Sequence, residues 1–232
     1  MFEYAFPNLK ELLEDEDLAV RVATSWAFKQ LTVNDDGCQR MVENACPQAM
    51  IQSFIRHSDS EMQKDDAQYL IYLLEAFVNL TFSDLGIEPL LGKNAIEQFI
   101  KILDHDYAKT ILEEKYEKVA ELCLRVLGNM SINHEGKEEC IKNCVITRSY
   151  TYLGSKSKEL RLNASLILMS CSIHLEGKNQ IVDEVDEHQN PLILLAIIRI
   201  LQSKQYPGIR SNLKVCLTNV AELPRGFSDI TR

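Results

Sequence analysis

Five copies of one short phrase recur along this chain. Each closes an apolar run with a polar, an apolar and a small residue, and a glycine follows seven positions after the polar one. They read Gln30-Leu31-Thr32…Gly37, Asn79-Leu80-Thr81…Gly86, Asn129-Met130-Ser131…Gly136, Ser170-Cys171-Ser172…Gly177 and Asn219-Val220-Ala221…Gly226. Successive glycines lie 49, 50, 41 and 49 residues apart. A period of about 40 to 50 marks a stacked repeat array, because a unit that small cannot bury its apolar face alone and must be covered by its neighbours. Arrays of this kind work by presenting surface, so the period favours a scaffold over an enzyme.

Each period parses into three helices. Short first helices are predicted after the glycine, at Cys38–Asn44, Ile87–Leu91, Lys137–Asn143 and Lys178–Asp183. Apolar second helices follow at Pro47–Ile55, Ala95–Leu103, Val145–Leu153 and Pro191–Leu201, with Pro47 and Pro191 in first turns, where a missing N–H is harmless. The long third helices run over Leu18–Thr32, Ala67–Phe82, Tyr116–Ile132, Lys158–Ile173 and Gly208–Glu222. Their apolar residues recur at helical spacing, as in Leu70, Leu73, Leu74, Phe77, Val78 and Leu80, and no alternating β-branched run is bounded by hairpin dipeptides. The longer periods carry polar insertions at His57–Lys64, Asp104–Glu114 and Asp183–Asn190, read as loops on one edge of the stack. Phe2, Tyr4, Phe6 and Leu9 are expected to complete the core of the first unit, the alternative being that this end docks on another protein.

The chain has 232 residues, 46% hydrophobic and 25% charged, with a net charge of −9. That balance repels phosphate backbones, and no Lys/Arg cluster offsets it, which argues against a nucleic-acid partner and against electrostatic docking on a membrane. The longest apolar stretch, Leu192 to Leu201, is interrupted by Arg199 and is too short to span a bilayer. Met1-Phe2-Glu3-Tyr4 has no signal-peptide character. The seven cysteines include no CxxC pair, and Cys123, Cys171 and Cys216 fall inside apolar runs, as buried free thiols do in a reducing compartment. The expected location is the cytoplasm.

Several motifs suggest chemistry. Asn79-Leu80-Thr81, Asn129-Met130-Ser131 and Asn163-Ala164-Ser165 match the glycosylation sequon, but all three fall on predicted helices and read as by-products of the repeat. Gly92-Lys93-Asn94 resembles a phosphate loop, yet Gly86 is one residue too far back and Asn94 replaces the hydroxyl needed on magnesium. Cys140 and Cys144 have the spacing to share a helix face, with His134 upstream, but no second pair completes a zinc set, so packing thiols are expected. The run Asp183-Glu184-Val185-Asp186-Glu187-His188 reads as a solvated loop, or else as a docking site for a basic partner. No catalytic residue, cofactor site or metal site is expected.

The phrase Asn-Leu-Thr, a loop, Gly and a short helix together resemble the end of an armadillo repeat. Arg21, Arg161 and Arg210, each sixteen before a loop glycine, match the related HEAT and armadillo patterns. A narrower resemblance covers Ala120 to Gly226. It rests on Leu127-Gly128-Asn129-Met130-Ser131-Ile132 with Glu135-Gly136-Lys137, on Asn163-Ala164 with Leu168-Met169, Ile173 and Glu176-Gly177-Lys178, and on Arg210-Ser211-Asn212 with Leu217-Thr218, Ala221-Glu222, Pro224 and Gly226. There the chain is similar to the radial-spoke-head armadillo family of the ciliary axoneme. The resemblance implies an all-α, armadillo/HEAT-like right-handed α-solenoid of about five repeats, forming a single armadillo-repeat domain over 1–232. It also implies a non-catalytic subunit of motile cilia whose partners are other protein subunits of an axonemal radial spoke complex.

Peptide-binding armadillo proteins resemble one another in a Trp four residues before the Asn, one helical turn apart on the groove face. Here that pair is split: Trp26 precedes Gln30, whereas Asn79, Asn129 and Asn219 are preceded by Glu75, Arg125 and Val215, and Ser170 by Leu166. An array for clamping a basic peptide is therefore not expected. The candidate groove line is Trp26, Gln30, Tyr72, Glu75, Asn79, Arg125, Asn129, Asn163, Asn212 and Asn219. Asparagines near helix C-termini often cap the following loop, and that structural role is expected of these.

Overall fold

A computed structural model describes residues 5–58, 66–91, 94–104, 115–204 and 206–231. Among these residues the fold is all-α: fifteen α-helices and one 3-10 segment, with β-pairing confined to an isolated bridge between Val185 and Pro191. None of the described helices is long and apolar enough to cross a membrane. The chain divides into two compact units, Met1–Asn129 and Met130–Arg232.

The first unit holds α1 (Ala5–Leu12), α2 (Leu18–Leu31), α3 (Asp35–Glu43), α4 (Cys46–Ser58), α5 (Ala67–Leu80), α6 (Asp84–Leu91), α7 (Ala95–Asp104) and most of α8 (Tyr116–Ile132). Helices pack on their counterparts one repeat further on: α1 on α4, α4 on α7, α3 on α6 and α2 on α5. The third helix α5 is buried on nearly all sides, including Leu70, Leu73, Leu74, Phe77 and Leu80. Phe77 meets Phe54 of α4 edge-on at 5.9 Å and Phe99 of α7 at 6.0 Å, and Phe54 and Phe99 lie 5.4 Å apart. These offset and T-shaped contacts suit the ring quadrupoles and join second and third helices of two repeats.

The second unit contains α9 (His134–Lys142), α10 (Val145–Ser149) with a 3-10 continuation (Tyr150–Gly154), α11 (Lys158–Cys171), α12 (Leu175–Asp183), α13 (Leu192–Gln202), α14 (Pro207–Val220) and α15 (Pro224–Thr231). Here α11 packs on α14, and α12 on α13 and α14. Ile167, Leu168, Cys171, Ile193, Leu194, Ile197, Leu213, Cys216 and Val220 form the core.

The loop glycines have one structural task. The first helices start two residues before the glycine, not after it as the sequence suggested, so Gly37, Gly86, Gly136, Gly177 and Gly226 each occupy the third helical position. There the new helix crosses the end of the third helix at backbone contact. A Cβ at Gly37 would lie 1.7 Å from the Leu31 carbonyl oxygen, and one at Gly136 would lie 2.2 Å from that of Met130. Asn34 and Asn133 cap these helices by accepting from the Gly37 and Gly136 N–H at 2.8 and 3.1 Å. Asp35, Asp36, Asp84, Glu135 and Glu176 place negative charge at the positive helix ends.

Eight residues after the glycine, Ala45, Asn94 and Cys144 take a left-handed conformation, with φ of 53°, 55° and 55°. This reverses the chain between first and second helices. It also puts Cys144 beyond the end of α9, exposed, while Cys140 is buried, so the two thiols do not share a helix face. Phe6 is buried and Leu9 half-buried, in keeping with a core role at this end, whereas Phe2 and Tyr4 lie outside the described residues. Of the insertions, His57 and Ser58 form the last turn of α4 and Asp104 ends α7. Residues 59–65 and 105–114, and with them Gly92 and Lys93 of the rejected phosphate loop, are outside the described residues.

Candidate protein-interaction surface

The third helices each keep one polar stripe. In the first unit it consists of Trp26 and Gln30 on α2, Tyr72, Glu75 and Asn79 on α5, and Arg125 and Asn129 on α8, each set at three- or four-residue spacing and hence on one helix face. Trp26 is 50% exposed and, with Leu18, Ala19, Val22, Ala23 and Tyr72, lines an open apolar concavity of about 890 Å³. An exposed indole above small alanines leaves its large face available to a partner.

Beside this concavity, Lys29 supports both neighbours. Its ammonium lies 5.2 Å from the Tyr72 ring centroid and 2.8 Å from the Glu75 carboxylate. Glu75 is thus held within the fold, and Tyr72 gains a cation over its ring. Arg125 is exposed, with its guanidinium 5.7 Å from the ring of Phe82.

The asparagines do something the sequence did not reveal. Asn79 Nδ2 donates to Thr32 Oγ1 at 3.2 Å, and Asn129 Nδ2 to Thr81 Oγ1 at 3.1 Å and to the Val78 carbonyl at 3.2 Å. In the second unit, Asn219 Nδ2 donates to Ser172 Oγ at 3.0 Å and Asn212 Nδ2 to Ser165 Oγ at 3.1 Å. Each acceptor hydroxyl donates its own proton back along its helix, as Thr32 does to the Lys29 carbonyl and Ser172 to that of Met169. These asparagines tie one third helix to the next and do not cap the loops that follow them. Asn163, at the register of Asn212 one repeat earlier, is half-buried. With their amide nitrogens engaged, Asn79 and Asn129 are poor glycan acceptors, as the helical placement of those sequons suggested. The signal was in the sequence: a hydroxyl at the third position of one phrase copy and an Asn at the first position of the next.

Two of the repeat-pattern arginines anchor helix starts. Arg21 donates to the carbonyls of Asp15 and Glu16 at 2.8 and 3.1 Å and pairs with Asp66 at 3.4 Å, and Arg210 donates to the Leu201 carbonyl at 2.9 Å.

A second surface feature was also missed. The residue following the phrase is apolar and exposed in four of the five copies: Val33, Phe82, Ile132 and Ile173, joined by Leu85, Leu175 and Phe227 around the glycines. Loop starts are normally polar, so four exposed apolar residues at one repeat position are informative. The acidic run, by contrast, is folded on itself. The Asp186 carboxylate accepts from the backbone N–H of His188 and Asn190 at 2.8 and 2.9 Å and from the Asn190 amide at 2.9 Å. These bonds hold its pKa below the ordinary value, led by those from Asn190. Asp183 pairs with Arg225 at 2.8 Å.

All seven cysteines are free thiols. Burial pushes the pKa of Cys46 up to about 11 and those of Cys171 and Cys216 up to about 12, which keeps these groups protonated and poor nucleophiles at neutral pH.

No protein-family model matches the chain, and no curated protein does. Solved structures do. A crystal structure of an engineered protein superimposes with a TM-score of 0.76 at 16% identity, over 97% of this chain and 85% of that one. A designed armadillo repeat protein in complex with the peptide (KR)4 gives 0.69 at 18% identity, over 91% and 80%. Computationally designed armadillo repeat proteins for modular peptide recognition give 0.72 at 18% identity, over 91% and 80%. The fold is therefore that of an armadillo-like α-solenoid.

Proposed function

We propose that the chain is a non-catalytic scaffold that binds other proteins, and that it serves as a subunit of a ciliary axoneme, within a radial spoke. The observation that carries the scaffold reading is the exposed apolar position repeated at Val33, Phe82, Ile132 and Ile173. Apolar groups left in water at one repeat position, Val33 and Phe82 in the first unit and Ile132 and Ile173 in the second, suit surfaces of each unit that neighbouring subunits cover. The ciliary assignment draws its support from the resemblance of residues 120–226 to radial-spoke-head armadillo proteins. On this reading the third-helix stripes and the phrase-end apolar residues grip neighbours, and the packed repeats hold both in fixed geometry, so binding forfeits little conformational entropy.

Fractionation of ciliated cells tests the assignment. The native protein is expected in salt-extracted axonemes together with radial spoke proteins, and recovery in the free cytosolic fraction alone would overturn it.

The concavity of Trp26 and Tyr72 favours a second reading, a cytosolic adaptor that holds a linear peptide or helix. A similar fold binds (KR)4, and this chain carries a complementary net charge of −9. Replacing Tyr72, Glu75 and Arg125 together is expected to abolish binding to one linear peptide on that reading. A multi-surface assembly would remain partly intact.

A further inference from the structure

We infer that His134, Glu138 and His174 form a binding site for a divalent transition-metal ion of the zinc class. His134 opens α9, Glu138 lies one turn later, and His174 stands immediately before α12. One ligand atom from each lies within 4.8 Å of the other two. His134 Nδ1 and the Glu138 carboxylate are 3.4 Å apart, and the two imidazole centroids are 5.5 Å apart. Ligand atoms around a tetrahedral ion, with bonds of about 2.0–2.1 Å, stand roughly 3.3 Å from one another. The His134–Glu138 pair already has that spacing, and a rotamer change in the half-buried His174 closes the third side.

Two features of the repeat point the same way. His174 occupies the N-cap position at which Asn34 and Asn133 accept from the loop glycine, yet its side chain makes no cap bond. Its ring faces His134 instead. The fourth phrase copy also carries Ser170 where the second, third and fifth carry Asn. An ion held by α9 and the start of α12 would add a second link beside the bond that the Gln180 amide donates to the Ile141 carbonyl at 2.8 Å.

The donor set selects the ion. Two imidazoles and one carboxylate suit zinc, nickel or copper, whereas calcium and magnesium require mainly oxygen. Three protein ligands leave a fourth position for water or a side chain from a neighbouring subunit. Two helix N-termini oppose a cation, each with about half a positive charge. Glu138 supplies a full negative charge at the ion, while Glu135 and Glu176 in the first turns stand beside Lys137 and Lys178, of which Lys178 is paired with Glu222.

The test is a calorimetric titration of the full chain with Zn²⁺ alone at neutral pH, with Co²⁺ absorption as a second readout. One equivalent is expected to bind, and Co²⁺ should give a tetrahedral spectrum without thiolate charge transfer. His134→Ala and His174→Ala should each weaken binding by more than the roughly 10–100-fold lost with an outer-shell partner, with helical circular dichroism unchanged. Cys144→Ser and His188→Ala should bind as the parent does. Absence of binding in the parent, an affinity unchanged from the parent in either histidine variant, or loss of binding in Cys144→Ser would each overturn the site.

Discussion

The side-chain amide of Asn129 donates to the hydroxyl of Thr81, 48 residues upstream, at 3.1 Å. The single Thr81 hydroxyl proton goes to the Phe77 carbonyl at 2.8 Å, shared with the Val78 carbonyl at 3.1 Å, so it is spoken for and a lone pair is left for the next repeat. Asn79 with Thr32 and Asn219 with Ser172 repeat the arrangement. The polar and the small residue of the phrase are therefore two halves of one contact, made between copies rather than within a copy.

Removing either half should be costly and the two costs should not add. Asn129→Ala removes a part-buried donor that serves both Thr81 and the Val78 carbonyl, and Thr81→Val removes one of its two acceptors, leaving the amide bonded to Val78 alone. Each is expected to destabilise the fold by about 1–2 kcal/mol. In a double-mutant cycle followed by urea unfolding, the coupling should be about 0.5–1.5 kcal/mol. Strictly additive costs would show that the bond does not hold the repeats together.

Gly37→Ala sets a methyl group against the Leu31 carbonyl, where a Cβ would stand at 1.7 Å. Backbone has to move, and overpacking of this kind costs about 1–3 kcal/mol. Gly154 provides the control, because a Cβ there meets nothing within 4 Å. Thermal unfolding should separate the two variants clearly, with Gly154→Ala close to the parent. Equal midpoints would mean that the loop glycines are not required by close approach.

The repeat, its three-helix grammar and the third helices were legible because period and apolar spacing are local properties of sequence. Tyr116–Ile132 was placed at its observed ends, and the other third helices within two residues. The sequence starts the first helices late because a glycine reads as a loop residue, whereas here it is needed at a helix position where two backbones touch. The partner of each asparagine was not legible in one copy alone. The donor and acceptor lie 47 or 48 residues apart and become a pair only when two copies are set side by side. Lys29, between Tyr72 and Glu75, was missed for the same reason: its neighbours belong to the next repeat.

A buried polar group in the first unit yields an ordering of variants. Ser53 Oγ donates to the Leu13 carbonyl at 3.1 Å and lies 2.6 Å from the Tyr69 hydroxyl. Serine has one proton, so Tyr69 is the donor of the second bond. Tyr69→Phe removes that donor and leaves Ser53 bonded to Leu13, at a cost of about 1 kcal/mol. Ser53→Ala strands both a buried carbonyl and a buried phenol, at about 2–6 kcal/mol from the 1–3 kcal/mol typical of each. Chemical denaturation should therefore rank Ser53→Ala as the more destabilised, and the reverse ranking would refute the proton assignment.

Alkaline pH should weaken the fold through groups that burial keeps protonated. Tyr69 is raised from 10.0 to about 12, chiefly by burial, Cys46 from 9.0 to about 11, and Cys171 and Cys216 from 9.0 to about 12, again chiefly by burial. In the unfolded chain these thiols ionise near 9 and the phenol near 10, while the folded state holds its protons. Above about pH 9 the unfolded state binds fewer protons than the native one, so stability falls as pH rises, until the folded-state values near 11 to 12 are passed. Each unit of upward shift corresponds to about 1.4 kcal/mol, lost in full only once pH has passed the folded-state value. Urea midpoints measured from pH 7 to 11 should be flat up to about pH 8.5, with respect to these groups, and then decline. Cys216→Ala, compared with its own stability at pH 7, should decline less steeply because one of the contributing protons has been removed. A parent curve that stays level to pH 11 would show that these side chains are not sequestered from water.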